Sequence, residues 1–194
     1  YARTFLYSSG PITWNANNSA DTLTRSGSTW IYRRADDDRS LRFDNAGKLI
    51  TSTARNGWIT SYTYDAAGRL AAIRNAFGRT LTLGYNGAGQ LVTVTTPDGR
   101  IFNYAFDASG RLSTVTYPDG RSRGFVYEDT AVPQGLTGIF DESGARWGTF
   151  AYDSQGRAIS TELSGGASRY QVSYPAAGTA TVIDPLSTSR SFSY

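Results

Sequence analysis

The stretch Tyr64-Asp65-Ala66-Ala67-Gly68-Arg69-Leu70 decides the fold, because its pattern returns along the chain. The pattern is an aromatic residue, Asp, two small residues, Gly, Arg and Leu. Other copies are Phe43-Asp44-Asn45-Ala46-Gly47-Lys48-Leu49, Tyr85-Asn86-Gly87-Ala88-Gly89-Gln90-Leu91 and Phe106-Asp107-Ala108-Ser109-Gly110-Arg111-Leu112. The aromatic positions 43, 64, 85, 106 and 127 are spaced by 21 residues, and later copies begin at Tyr152 and, in weaker form, Tyr174. Such a fixed period is typical of repeat architectures.

A second glycine follows the first by ten residues in most copies. Two of these glycines lie in Pro-Asp-Gly-Arg, at 97–100 and 118–121, which is a strong turn signal. The segments between turns have five to seven residues, a common strand length. Large apolar residues alternate before the motif, as at Tyr62 and Tyr64, which places them on one face of a strand. The pattern therefore predicts that each repeat forms a strand, a turn, a second strand and a second turn. For the whole chain it predicts an all-β fold.

The segment after the motif has a different spacing, since Leu70 and Ile73 are three residues apart. A β-bulge beside the glycine turn would restore the register. One hairpin of about 21 residues cannot bury a core. We therefore expect tandem hairpins to pair edge to edge into a long, curled antiparallel sheet with a continuous buried aromatic face.

The repeats do not extend over the whole chain. Residues 1–39 lack the pattern and are predicted to be lead-in strands with an irregular loop, whereas residues 40–194 are predicted to be repeats. The copy at Tyr127 loses its glycine, which predicts a loop insertion near 128–135. Asn17-Asn18-Ser19 matches a glycosylation sequon, a short pattern that often arises by chance. The chain begins at Tyr1 without Met, so we interpret it as a piece of a longer protein.

Composition excludes several chemistries. The 194 residues include no Cys and no His, which excludes thiolate nucleophiles, disulfides, imidazole bases and the commonest zinc ligands. The net charge is +3 and the arginines are dispersed, whereas a nucleic-acid surface gathers basic residues on one stripe. No apolar run approaches the ~20 residues that cross a bilayer. We expect neither nucleic-acid binding nor membrane insertion by this segment.

The repeats resemble the YD repeats of the RHS family over residues 40–194. The distinctive copies are 64–70 and 106–112, followed by glycine turns such as Pro97-Asp98-Gly99-Arg100. The stretch Asp184-Pro185-Leu186 is also similar to the Asp-Pro-Leu-Gly runs of RHS repeats, with Ser187 where Gly is usual. RHS proteins are similar to shell-forming toxin-complex components of bacteria and to animal teneurins.

This resemblance implies a function. In bacterial members the repeats wind into a hollow β-shell that encloses a C-terminal toxin or effector for delivery. The implied partners are the rest of the parent chain and its enclosed C-terminal domain, with secretion machinery or carbohydrate as further candidates. The implied location is secreted or associated with the cell envelope. The family's self-cleaving segment has no counterpart here, so the resemblance assigns no catalytic, cofactor-binding or metal residue and no cofactor.

The repeated Asp residues are the obvious candidates for a catalytic or metal site. They are Asp44, Asp65, Asp107 and Asp153. The same position is Asn86 in one copy, Glu128 in another and Pro175 in a third. A catalytic carboxylate does not tolerate Asn, whereas an Asx turn does. A Ca²⁺ loop would need several close oxygen ligands, and here Ala or Ser follows the Asp. We predict that the Asp closes a turn.

The basic residue after each glycine has a predicted partner. The residues are Arg69, Arg111 and Arg157, with Lys48 and Gln90 as variants. We hypothesise that each Arg pairs with the Asp of the same or the neighbouring repeat. Because ion pairs at turns are expected to be exposed, they should contribute little, and Arg69→Ala with Arg111→Ala should barely change the melting temperature.

Three functional classes follow from these observations. The first is a non-enzymatic structural segment of a bacterial RHS shell. The alternative is a cell-surface module that binds glycans or a receptor through exposed aromatic residues, for which the non-repeating Trp14, Trp30, Trp58 and Trp147 are candidates. The third is a carboxylate-dependent hydrolase, which would need a cleft with two close acidic side chains.

Overall fold

The computed structural model describes residues 20–194 and, for the backbone alone, Trp14–Asn15. These residues form antiparallel strands and one short 3-10 turn, Ser164–Gly166, with no α-helix among them. The predicted all-β fold is confirmed. The sequon at 17–19 and the Trp14 side chain lie outside the described residues. The chain divides into two compact units, Tyr1–Arg100 and Ile101–Tyr194. The proposed boundary between lead-in and repeats at residue 40 stays a prediction.

The N-terminal unit is a meander in which each strand pairs antiparallel with the next along the chain. The strand before each copy of the motif in this unit ends at its aromatic residue, and the strand after it begins at its Leu, as at Tyr64 and Leu70. The strands are β1 (Trp14–Asn15), β2 (Thr22–Ser26), β3 (Thr29–Arg33), β4 (Ser40–Phe43), β5 (Leu49–Thr53), β6 (Ile59–Tyr64), β7 (Leu70–Arg74), β8 (Thr80–Tyr85) and β9 (Leu91–Thr95).

The C-terminal unit has the same sequential antiparallel pairing. Its regular repeat is interrupted between the third and fourth strands by residues 127–137, which include the predicted insertion. The strands are β10 (Ile101–Phe106), β11 (Leu112–Thr116), β12 (Ser122–Val126), β13 (Gly138–Phe140), β14 (Arg146–Tyr152), β15 (Ala158–Leu163), β16 (Tyr170–Ser173), β17 (Thr179–Ile183) and β18 (Ser189–Ser193).

The bulge predicted beside the glycine turn is present. In the β6–β7 hairpin, Tyr64 faces Leu70 and Thr63 faces Ala72, so Ala71 is the extra residue. Tyr62 consequently faces Ile73, which explains the three-residue spacing. The same register shift occurs in the hairpins β4–β5, β8–β9, β10–β11, β13–β14 and β14–β15. The bulge is therefore part of the repeat.

The two faces of the sheet in the N-terminal unit differ in chemistry, because residues opposite each other in a register share a face. One face carries aromatic and aliphatic groups, such as Tyr62 opposite Ile73, which in turn lies opposite Leu81. The other face carries small and hydroxyl-bearing groups, such as Thr63 opposite Ala72, which lies opposite Thr82. Thr82 lies opposite Thr95 on this same face. Each strand thus alternates between two different surfaces.

The prediction of a buried aromatic face is wrong in its extent, because the aromatic side chains are less buried than expected. Among the described residues no hydrophobic side chain is buried, and aromatics such as Tyr62 and Tyr104 are half-buried. The buried polar side chains there are Asp21, Ser52 and Thr137. The physical reason is that the described strands make their main contacts with strands adjacent in sequence, so no second layer covers the aromatic face of either unit.

Glycine is required where the turns take a left-handed backbone. Gly68 has a φ of 79° and Gly78 a φ of 79°, values that a Cβ disfavours. Each donates its N–H back across its turn, to Asp65 and Asn75 respectively. The two glycines of the repeat are therefore both turn glycines, as their ten-residue spacing predicts.

Candidate functional site: the ladder between repeats

The aromatic-Asp turns are closed by the Asp side chain. Asp107 Oδ1 accepts the backbone N–H groups of Ser109 and Arg111, both at 2.9 Å. Asn86 Oδ1 accepts the corresponding N–H groups of Ala88 and Gln90 at 3.0 and 2.9 Å. This is the predicted turn role, and the amide of Asn performs it as well as a carboxylate.

These hydrogen bonds change the acidity of the turn carboxyls. The pKa of Asp107 is lowered from its ordinary value of 3.8, chiefly because the backbone N–H of Arg111 donates to the carboxylate, with a further contribution from the Arg111 guanidinium. The pKa of Asp65 and that of Asp153 are lowered by the same contacts with Arg69 and Arg157. A carboxylate held ionised in this way has no proton to donate as a general acid at neutral pH.

The basic residue after the glycine connects two repeats. Arg69 Nε lies 2.7 Å from Asp65 Oδ2 of its own turn, and its guanidinium carbon lies 4.6 Å from the ring centroid of Tyr85 in the next repeat. The hypothesis of Arg–Asp pairing is confirmed, with the partner in the same repeat. Comparable cation–π contacts join Lys48 to Tyr64, Arg111 to Tyr127 and Arg157 to Tyr174.

The tyrosine whose ring stacks with the guanidinium also forms a hydrogen bond to the preceding repeat through its hydroxyl. Tyr85 Oη donates to the carbonyl of Leu70 at 2.8 Å. Leu70 immediately precedes the bulge residue Ala71, where strand pairing is interrupted. The same bond joins Tyr64 to Leu49, Tyr127 to Leu112, Tyr152 to Leu136 and Tyr174 to Ala158. We call the recurring Arg/Lys–Tyr stacking and Tyr–carbonyl hydrogen bonds the ladder.

The expected exposure of the Arg–Asp pairs is not observed throughout. The side chains of Arg111 and Asp107 retain 19% and 24% of their accessible surface, because the Tyr127 ring covers the guanidinium. Arg111 also donates to the carbonyl of Pro133 in the insertion. By contrast, Arg100 and Asp98, in a turn around the second glycine of a repeat, retain 64% and 57%. The Arg111–Asp107 pair is thus much more enclosed than the Arg100–Asp98 pair.

The insertion replaces a turn with a polar cluster. Glu128 occupies the Asp position but forms an ion pair with Arg146 at 2.7 Å and accepts the hydroxyl of Thr137 at 3.0 Å. These two partners lower the pKa of Glu128. Arg146 Nη2 also donates to the carbonyl of the buried Thr137 at 2.9 Å. The cluster holds both ends of the segment 128–137 together.

Sequence reasoning missed one turn of the same kind. Asp141 Oδ1 accepts the N–H groups of Ser143 and Ala145 at 2.9 and 3.1 Å. The signal was present as Phe140-Asp141-Glu142-Ser143-Gly144, but this copy is outside the 21-residue register. Asp184 forms another such turn, in which Ser187 adopts a φ of 63° in place of the usual glycine.

The described residues contain neither a cluster of metal ligands nor a helix that could span a membrane. No group of three or more Asp and Glu residues among them could hold a metal ion. No helix in residues 20–194 is long and apolar enough to cross a bilayer. The Asp residues of the repeat are instead distributed one per turn.

Two exposed aromatic side chains contact each other where two turns of the N-terminal unit meet. Trp58 and Phe77 retain 55% and 66% of their accessible surface, and their ring centroids lie 4.9 Å apart in an edge-to-face arrangement. Trp58 follows the turn glycine Gly57, and Phe77 precedes the turn glycine Gly78. Trp147 is 45% exposed, whereas Trp30 is half-buried and stacks with Arg25. Of the predicted tryptophans, Trp58 and Trp147 are exposed, and Trp58 forms an aromatic pair with a second exposed ring.

The family comparison agrees with the motif. The family model for the RHS repeat matches residues 43–80 and 85–122, and each match contains two copies of the sequence motif. These segments are RHS repeats. The ladder contacts of Lys48 with Tyr64 lie within the first matched RHS repeat. No curated protein matches the chain.

Solved structures share the fold of these RHS repeats. The chain is similar to the crystal structure of TcdB2-TccC3-Cdc42 with a TM-score of 0.59 and 18% identity, over 91% of this chain and 12% of that one. It is similar to TcdB2-TccC3 without the hypervariable C-terminal region with a TM-score of 0.61 and 16% identity, again over 91% and 12%. The chain thus spans 12% of these neighbours' length, and the likeness shows the fold alone.

Loss of one ladder hydroxyl should be measurable. Tyr85→Phe removes the hydrogen bond to the Leu70 carbonyl and should lower the free energy of unfolding by about 1 kcal/mol. Tyr104→Phe is the matched control, because the Tyr104 hydroxyl has no hydrogen bond to a described residue. Urea denaturation measures both, and equal effects would contradict the ladder.

The enclosure of Arg111 revises the expectation for its removal. Arg111→Ala loses an ion pair, a cation–π contact and a bond to the Pro133 carbonyl, so it should lower the melting temperature clearly. Arg100→Ala, at an exposed pair, should leave the melting temperature nearly unchanged. Arg111→Lys should recover part of the loss, since it keeps the charge without the planar stacking group. Indistinguishable melting temperatures for the two Ala variants would restore the sequence expectation.

The lowered pKa values predict acid sensitivity. Because the pKa of Asp65, Asp107 and Asp153 is lower in the folded than in the unfolded chain, these groups stabilise the fold above their ordinary value of 3.8. That stability is lost as the pH falls through 3.8 toward the lowered folded values. The free energy of unfolding of the triple Asp→Asn variant should decline less steeply than that of the unmodified chain between about pH 5 and pH 2, as measured by urea denaturation. If the free energy of unfolding of this variant falls with pH as steeply as that of the unmodified chain, other groups are responsible for the acid sensitivity.

Proposed function

We propose that this chain is a non-enzymatic segment of the wall of a β-shell, and that the shell encloses a C-terminal toxin or effector for delivery. The single observation that carries the proposal is the ladder, which joins one 21-residue repeat of the motif to the next. Contacts that recur from repeat to repeat let a sheet extend by addition, which is what a wall needs. The RHS matches and the shared fold with TcdB2-TccC3 support the structural role.

The two faces of the sheet suit an enclosing wall. A surface of Thr, Ser and Ala, such as Thr63, Ala72 and Thr82, offers little apolar area for adhesion. We propose that this small polar face of the N-terminal unit is directed toward the enclosed domain. The partners are then the rest of the parent chain and that domain, in a protein that is secreted or associated with the cell envelope.

The chemistry of the turns supports a role without catalysis. The carboxylates of Asp65, Asp107 and Asp153 are each engaged by backbone N–H groups and an Arg of their own turn. We infer that they serve the geometry of the wall.

A labelling experiment in the full-length parent protein tests enclosure. This segment has no Cys, so single thiols can be introduced into a parent background that is free of other reactive thiols. Thr82→Cys on the small polar face should react with a bulky maleimide in the isolated chain and be protected in the intact parent. Leu81→Cys, on the opposite face and also exposed, is the matched control. Equal labelling of both sites in the intact parent would overturn the proposal.

A second candidate function rests on the exposed Trp58–Phe77 pair. Aromatic rings at a surface stack against sugar rings, so the pair favours a glycan- or receptor-binding module. Trp58→Ala and Phe77→Ala should each weaken binding on a glycan array by at least about tenfold, a loss of about 1.4 kcal/mol of contact. Trp30→Phe, away from the pair, should retain binding. Absence of binding by the unmodified chain would remove this candidate without affecting the labelling result.

A further inference from the structure

Two Asn-Gly dipeptides lie in turns of the N-terminal unit, Asn56-Gly57 and Asn86-Gly87. In such a pair the backbone nitrogen after the Asn can attack the side-chain carbonyl carbon. Gly in the second position favours this attack, because it has no Cβ to crowd the nitrogen or restrict the backbone. The nitrogen must also be free to lose its proton. The sequence makes the two dipeptides equivalent, and the structure does not.

The backbone nitrogen that would attack Asn56 is that of Gly57, and its N–H is already hydrogen-bonded. The N–H of Gly57 donates to the carbonyl of Ala54 at 2.8 Å, and Gly57 is held at a φ of 82°. Asn56 Oδ1 accepts one hydrogen bond, from the N–H of Trp58 at 3.2 Å. Attack by the Gly57 nitrogen would therefore require the turn to lose its closing hydrogen bond.

The backbone nitrogen that would attack Asn86 is that of Gly87, and its N–H has no such hydrogen bond within residues 20–194. The N–H of Gly87 donates to none of the described residues, and Gly87 is not at a positive φ. Apart from Gly87 itself and its two chain neighbours, no residue has an atom within 4 Å of the position of a Cβ on Gly87, and Gly87 is exposed. Asn86 Oδ1 accepts two backbone N–H groups, which draw electron density from Cγ and make it a better electrophile.

We propose that Asn86 is a site of spontaneous deamidation in the folded chain, and that Asn56 is protected. The Gly87 nitrogen bonds to Cγ of Asn86, the Cγ–Nδ2 bond breaks, and Nδ2 leaves as ammonia with the amide proton of Gly87. Solvent water then adds to one of the two carbonyls of the cyclic imide and breaks its bond to nitrogen. The product at this position is aspartate or its isoaspartyl isomer.

The two products have different consequences for the turn. Aspartate in place of Asn86 puts a carboxylate where Asp65 and Asp107 already accept the same pair of N–H positions, so the β8–β9 turn is retained. The Asn86 Nδ2 group now donates to Gln90 Oε1 at 2.8 Å, and a rotated Gln90 amide can donate to the new carboxylate instead. The isoaspartyl product carries an extra methylene in the backbone, which moves the two N–H groups away from the oxygen.

The proposal is tested by incubating the whole chain at mildly alkaline pH in two samples. One sample is folded, and the other contains about 8 M urea, a concentration that unfolds small domains. Peptide mass spectrometry follows the gain of about 1 Da on each Asn-Gly peptide. In urea both sites should react alike. In the folded chain Asn56 should be about fivefold to tenfold slower than Asn86, the factor for breaking one backbone hydrogen bond. Equal folded rates, a faster Asn56, or an Asn86 that reacts only in urea would each overturn the proposal.

Matched variants isolate the nucleophile. Gly87→Ala fits the backbone and the open space, and it should lower the Asn86 rate about tenfold or more. Asn75 is the reciprocal control, since its Oδ1 also accepts two N–H groups, both at 3.0 Å, but Ala76 follows it. Ala76→Gly should make Asn75 reactive. Circular dichroism confirms that both variants fold, and an unchanged rate in either folded variant would contradict the mechanism.

Discussion

In the turns where Asp or Asn directly follows the aromatic residue of the motif, a single side-chain oxygen closes the turn by accepting two backbone N–H groups of the same loop. In the turn of Asp107 the two donors are Ser109 and Arg111. Because the second donor is the residue after the glycine, the bond sets where the following strand begins. The rest of the repeat depends on it, since the turn fixes both the bulge and the position of the basic side chain.

The ladder follows from that turn geometry. The bulge after Leu70 interrupts strand pairing, and the Leu70 carbonyl accepts the hydroxyl of Tyr85 in the next repeat. The turn also directs the Arg69 guanidinium over the same ring. One tyrosine is thereby held through its hydroxyl and its face by the preceding repeat. This coupling lets a single-layered sheet remain ordered although its aromatic side chains are only half-buried.

The insertion in the C-terminal unit shows how such a sheet accommodates an irregular segment. Glu128 cannot close the turn, since its longer side chain pairs with Arg146 and Thr137 instead. The strand β12 nevertheless pairs with β13, and Tyr152 still reaches the Leu136 carbonyl at 3.0 Å. A sheet of such repeats can therefore carry a loop without losing its ladder, because the tyrosine needs a carbonyl rather than a particular turn.

The sequence by itself determined the strands, the turns and the bulge. Each of these depends on residues close together in the chain, such as Tyr64 and Gly68, whose spacing repeats. The Asn at position 86 also revealed that the Asp is a turn residue. Only the tertiary structure decided the ladder, because Tyr85 and Leu70 are brought together by the pairing of β7 with β8. Exposure, too, was decided there, since a neighbouring ring covers Arg111 while no second layer covers the aromatic face.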